Sequence, residues 1–151
     1  MNLFKSKKTK KTEFLVSFCS LLALAAINYT VIHSPYVFLM TFVLFIHELG
    51  HYFVAKKHKA FVKYPIFLPI PFIGIGITKV KNIPLDKKAT VAMAGVLFSL
   101  SFILALIVHN IIFNLFSFYF LFTILFTETF FNYIGVDGSK YRSAKYETTQ
   151  N

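Results

Sequence analysis

The chain has 151 residues, of which 56% are hydrophobic and only 15% charged, where soluble domains carry about 25% charged residues. This excludes an ordinary water-soluble globule and, at this length, suggests one multi-pass membrane domain. The net charge of +10 does not point to nucleic acid, because the 16 Lys and Arg gather where apolar runs begin and end, as they do beside membrane spans on the cytoplasmic side.

Taken in chain order, residues 1–12 are lysine-rich and polar, and a disordered cytoplasmic tail is expected there. Phe14 to Ile32 has no charge and approaches the roughly 20 residues that a span requires. His33-Ser34-Pro35 reads as a far-side turn. Tyr36 to Ala55 is the second span, closed by Lys56, Lys57 and Lys59. The lone cysteine, Cys19, lies in the first span and excludes an internal disulfide.

Phe61 to Ile77 is apolar, but Pro65, Pro69 and Pro71 forbid a regular helix through it. Ile73-Gly74-Ile75-Gly76-Ile77 alternates with the period of a strand. Lysines stand on both sides, so the segment should dip into the membrane and return. The expectation over 61–80 is a re-entrant β-like hairpin, since irregular backbone at membrane depth must lie against protein or a water-filled cavity. An exposed edge at Ile73, Gly74 and Ile75 could bind an extended peptide by strand addition. The Gly74-x-Gly76 pair lacks the third glycine and following helix of a dinucleotide site.

Ala89 to Val108 is the third span, with the small pair Gly95 and Ser99 suited to close helix contact. His109-Asn110 is expected as the next far-side turn. Ile111 to about Ile134 is the fourth span, interrupted by Glu128, and Lys140, Arg142 and Lys145 place the tail in the cytoplasm. The expected fold is therefore an all-α polytopic membrane protein. It has about four transmembrane helices, a hairpin between the second and third, and both termini cytoplasmic. The membrane domain would span residues 13–140, with a second cytoplasmic tail over 141–151.

His47-Glu48-Leu49-Gly50-His51 lies in the second span. Histidines four apart share one helix face and can grip one metal ion, with Zn2+ (one per chain) expected from the ligand types. The glutamate between them is placed to serve as general base. Ionisable groups in hydrocarbon are costly, so their presence calls for a function. By a rise of 1.5 Å per residue, His51 lies about 7 Å and His47 about 13 Å from Lys56, in the cytoplasmic half of the membrane. A catalytic zinc site usually takes three protein ligands. Glu13, Asp86, Glu128, Asp137 and Glu147 are the acidic candidates. Glu13 and Glu147 lie near chain ends, and Asp86 is expected in a solvated ion pair. Asp137, between Gly135 and Gly138 at about the depth of His51, is preferred. Glu128, an intramembrane carboxylate, is the alternative acidic ligand. Asn132, one turn from Glu128, could face the same cavity.

These residues together resemble the site-2 protease family of intramembrane zinc metalloproteases. The resemblance rests on His47-Glu48-Leu49-Gly50-His51 and Asp137-Gly138, with support from Pro69-Ile70-Pro71 to Gly76 and from Ala94-Gly95. It covers about residues 36–140. It implies that His47, His51 and Asp137 bind zinc, that Glu48 shuttles the proton, and that Asn132 helps hold substrate. The implied activity is hydrolysis of peptide bonds in or near membrane-spanning segments of membrane proteins, signal peptides or peptide precursors. The short run from Asn132 to Asp137 has no proline, where the family usually has one. The larger members' additional spans and PDZ or CBS domains are not in this sequence, so gating would differ or use an accessory membrane partner or a second copy of the chain. Two alternatives stand beside this reading: a non-catalytic relative acting as a peptide-binding immunity or accessory protein, and a zinc-binding transport protein.

Overall fold

The computed structural model describes residues 3–70, 73–127, 130, 132, 137 and 140–143, with backbone alone for 3–9, 73 and 74. Helix α1 runs Leu3–Ile32, α2 Tyr36–Lys57, α3 Lys88–Phe113 and α4 Phe118–Thr127. Between α2 and α3 lie β1 (Phe61–Val62), β2 (Ile66–Ile70), β3 (Ile73–Ile77) and β4 (Val80–Lys81). Three helical stretches, Lys10–Ile32, Tyr36–Lys57 and Leu85–Phe113, are long and apolar enough to cross a membrane, and α4 is a shorter apolar helix. Large side chains such as Phe14, Phe53, Leu104 and Phe122 are exposed, an outer surface that suits lipid rather than water. These features describe a membrane protein.

The chain departs from the sequence reading at two places. Where a disordered tail is expected over 1–12, residues 3–12 continue α1 without a break. No Gly or Pro interrupts this segment, and lysine is a good helix former that propagates from the apolar turns behind it. The expected turn at His109-Asn110 is absent, and α3 continues to Phe113. The turn falls at Asn114, which takes a left-handed conformation (φ 48°) and donates its N–H to Asn110 O at 2.8 Å. Asn110 itself closes the turn from inside the helix. Its Nδ2 donates to Phe116 O (2.9 Å) and its Oδ1 accepts from Phe116 N (2.7 Å). An amide that supplies both a donor and an acceptor satisfies the backbone groups left over at a helix end.

The two ends of α2 are set by local chemistry. At its start, Pro35 presets a helical φ of −62°, a first-turn role natural to proline. At its end, Lys59 turns left-handed (φ 58°), and Ala60 N returns to Ala55 O at 3.1 Å, the wrapped ending that satisfies late helix carbonyls. The chain then enters the hairpin. β1 pairs antiparallel with β4, and β2 with β3 from Ile66↔Ile77 to Ile70↔Ile73. β2 packs on α1 and β3 on α2. Phe67 N donates to Ser20 Oγ of α1 at 3.1 Å, and the Phe67 ring is buried. Two strands alone are marginal, and here the helices support both.

Among the described elements, helices α2 and α3 make the most extensive contact. Each presents a buried row at four-residue spacing: Val43, His47, His51 and Ala55 on α2, and Val91, Gly95, Ser99 and Ile103 on α3. Such rows are the ridges that interlock in helix packing. The helices run antiparallel, so Val43 meets Ile103, with Ile124 of α4 completing one apolar layer. Ala55 meets Val91 and Ala60 in another. Small residues permit the approach. A Cβ on Gly50 would stand 2.5 Å from Ala94 O, so only glycine fits beside that backbone. Between the two apolar layers lie the histidines.

Candidate metal centre

The backbone row on α2 aims both imidazoles at α3, and α3 fixes which nitrogen each presents. His51 Nδ1 lies 2.8 Å from Val91 O. A carbonyl only accepts, so Nδ1 carries a proton, which in the neutral imidazole leaves Nε2 with a lone pair. His47 Nδ1 lies 3.3 Å from Ser99 Oγ. The Ser99 hydroxyl is in turn within 3.0 Å of Gly95 O and 3.1 Å of Val96 O. It donates into α3 and keeps its own lone pairs for His47 Nδ1–H. Both rings therefore expose Nε2 on the same side.

Asp137 meets them there. Its Oδ2 lies 2.8 Å from His47 Nε2 and 3.0 Å from His51 Nε2, and the two Nε2 atoms are 3.3 Å apart. All three side chains are buried. Among the described residues they form the group of His, Cys, Asp or Glu side chains that could hold a metal ion. Ligands about 2.0–2.1 Å from a tetrahedral ion stand roughly 3.3 Å from one another, close to the spacings found. Neutral imidazoles would turn two lone pairs on a carboxylate oxygen, an arrangement that repels unless a cation lies among them. Gly95 leaves the room for one: a Cβ there would stand 2.6 Å from His47 Nε2 and closer still to His51 Nε2. The donor set and the gap fit a metal.

The other Asp137 oxygen, Oδ1, accepts from Lys140 Nζ at 3.3 Å. Lys140 is exposed, so it draws one oxygen outward while Oδ2 faces the imidazoles.

Glu48 is buried, next to the two histidines on α2, and its side chain reaches the hairpin. Thr78 Oγ1, just past β3, donates to Glu48 Oε2 at 2.5 Å and lies 3.3 Å from the Glu48 carbonyl. The Glu48 side chain lies flat on Gly76, where a Cβ would collide with its Cγ and come within 2.6 Å of Oε1. Ile75, on the same strand, is exposed.

The remaining acidic candidates separate cleanly. Asp86 pairs with Lys87 at 3.0 Å, and Glu13 with Lys63 at 3.7 Å. Glu128 and Glu147 lie outside the described residues, as do Gly135 and Gly138. Asn132 is half-buried and outside the His–His–Asp group. Of Ile73 and Gly74 the structure describes the backbone, paired with β2. Sequence reasoning missed Ser99, Val91, Thr78 and Gly76 as partners of the site, and gave Gly95 only a packing role. The four-residue step Val91-Gly95-Ser99 could have been matched to His47 and His51 once two antiparallel helices were assumed. Nothing local marks Thr78. Compared with family models, curated proteins and solved structures, the chain has no match in any of the three.

Proposed function

We propose that the protein is an intramembrane zinc metalloprotease, resembling the site-2 protease family, that hydrolyses peptide bonds in or near membrane-spanning segments. The observation that carries this reading is the convergence of His47 Nε2, His51 Nε2 and Asp137 Oδ2 on the helix that also bears Glu48. In this reading the three side chains hold Zn2+, which would supply Lewis acidity to polarise a carbonyl and make water acidic enough to lose a proton near neutral pH. Val91 and Ser99 keep the imidazoles in the tautomer that binds a cation, as groups behind metal ligands generally do. Glu48 accepts the proton of the attacking water and returns it to the leaving amine.

Substrate would enter as an extended strand. A helical substrate has its carbonyls tied up in its own hydrogen bonds and must unwind first. Among the described strands β3 pairs only with β2, so its other edge is free to take the unwound segment, with Ile73, Gly74 and Ile75 as the pairing stretch. Asn132 is assigned, by the resemblance alone, to help hold substrate. In the membrane we place four crossings, the hairpin as a re-entrant element, and both termini in the cytoplasm, because every lysine cluster then lies on one side.

The test is Glu48→Gln beside wild type, reconstituted in liposomes with a library of single-span peptides and read by mass spectrometry. Zinc content should stay at one ion per chain while cleavage falls by at least about 100-fold, as loss of a general base implies. Wild-type protein that holds no zinc, or a Gln variant that cleaves as fast as wild type, would overturn the assignment.

A further inference from the structure

The most telling contact that the proposed chemistry does not use is the one between Glu48 and the strand beside it. A buried carboxylate in an apolar helix needs a donor. The described residues give Glu48 one close side-chain donor, Thr78 Oγ1 at 2.5 Å, and that hydroxyl also lies 3.3 Å from the Glu48 carbonyl. The hydroxyl has one proton to give, and the shorter contact assigns it to the Glu48 side chain. Gly76, two positions earlier and inside β3, removes the Cβ that would push the carboxylate away. β3 and the residue that follows it thus present a slot and a hydroxyl to the same carboxylate.

We propose that Thr78 is a positioning residue for Glu48. Its hydroxyl fixes Oε2 and thereby sets the direction in which the carboxylate can accept a proton. The inference rests on the hydrolytic reading above and deepens it. Among the described residues the side-chain hydrogen bonds of Thr78 go to Glu48 and not to the three metal-ligand candidates, so it acts through Glu48. Because Thr78 follows β3 directly, it also ties the base to the strand that substrate would extend, so filling the edge and orienting the base become linked events.

The probe is acetohydroxamic acid, a small zinc chelator whose bound form transfers its acidic proton to a neighbouring carboxylate. Its affinity is measured by calorimetry on the zinc-loaded full chain in detergent, for wild type, Thr78→Val, Thr78→Ser, Glu48→Gln and the Val/Gln double variant. Zinc affinity of each variant is measured in parallel and reports that the metal ligands are in place. Hydrogen bonds to charged groups are strong enough that Thr78→Val should weaken the probe by about tenfold or more. Thr78→Ser, which keeps the hydroxyl, should stay within about twofold, and zinc affinity should not move. On the Glu48→Gln background, Thr78→Val should add less than about twofold, since its target is already gone. Equal weakening by Val and Ser, an unchanged Val variant, or a full Val effect in the double variant would each overturn the positioning role. If Glu48→Gln alone binds the probe as tightly as wild type, the hydrolytic reading fails first and this inference falls with it.

Discussion

On the face of α2 that meets α3, each imidazole has a partner directly behind it: Val91 O for His51 and Ser99 Oγ for His47. On the face that meets the hairpin, Glu48 rests on Gly76 and one threonine hydroxyl. The first side is a contact between two long helices, closed above and below by the Val43–Ile103–Ile124 and Ala55–Ala60–Val91 layers. The second is a two-stranded sheet whose β3, among the described strands, pairs only with β2. A metal site needs ligands that do not move, because small errors in position cost affinity. In the proposed reading, a base that serves a substrate bound on the adjoining strand can instead be held by that strand. On that reading one helix carries two groups of different mechanical demand, one set against the long helix α3 and the other against the two-stranded hairpin.

Changes on the α3 side should remove metal, and changes on the hairpin side should spare it. The largest effect is expected from Gly95→Val, whose branched side chain would fill the gap beside both Nε2 atoms. Bound zinc, measured by mass spectrometry of the metal, should fall by more than about 100-fold, a greater loss than changing a partner behind a ligand causes. A variant that retained its zinc would show that the gap is not where the ion sits. Next is Gly76→Ala, which forces Glu48 off the strand. Peptide cleavage should drop by roughly 100-fold, the lower range for losing a base, with zinc content unchanged. Loss of zinc together with cleavage would mean that the two faces are not independent. The smallest is Ser99→Ala, which removes the acceptor behind His47 and should weaken zinc by about 10- to 100-fold without abolishing it. Competition with a chromogenic chelator reads that change, and no change at all would sink the tautomer argument.

Much of the site was legible before folding, and for local reasons. His47, Glu48 and His51 lie within two turns of one helix, where spacing alone determines which face each side chain takes. The strand signal at Ile73 to Ile77 and the prolines before it likewise act within a few residues. Asp137 was legible only as a preference among five acids, because a ligand 86 residues from His51 in sequence leaves no mark in periodicity. The turn after α3 was misplaced at His109-Asn110 for a related reason. Asn110 is a turn residue in function, yet it acts from within the helix, four residues before the backbone bends.

The sequence by itself determined the apolar helices, the hairpin's strand pattern and the pairing of two histidines with a glutamate, since each depends on short-range periodicity and on the cost of charge in hydrocarbon. Only the tertiary structure decided which acid joins the imidazoles, which groups of α3 stand behind them, and that Thr78 and Gly76 meet Glu48. Those are contacts between elements, and they exist only when antiparallel ridges on α2 and α3 interlock and β3 is laid against the other side of α2.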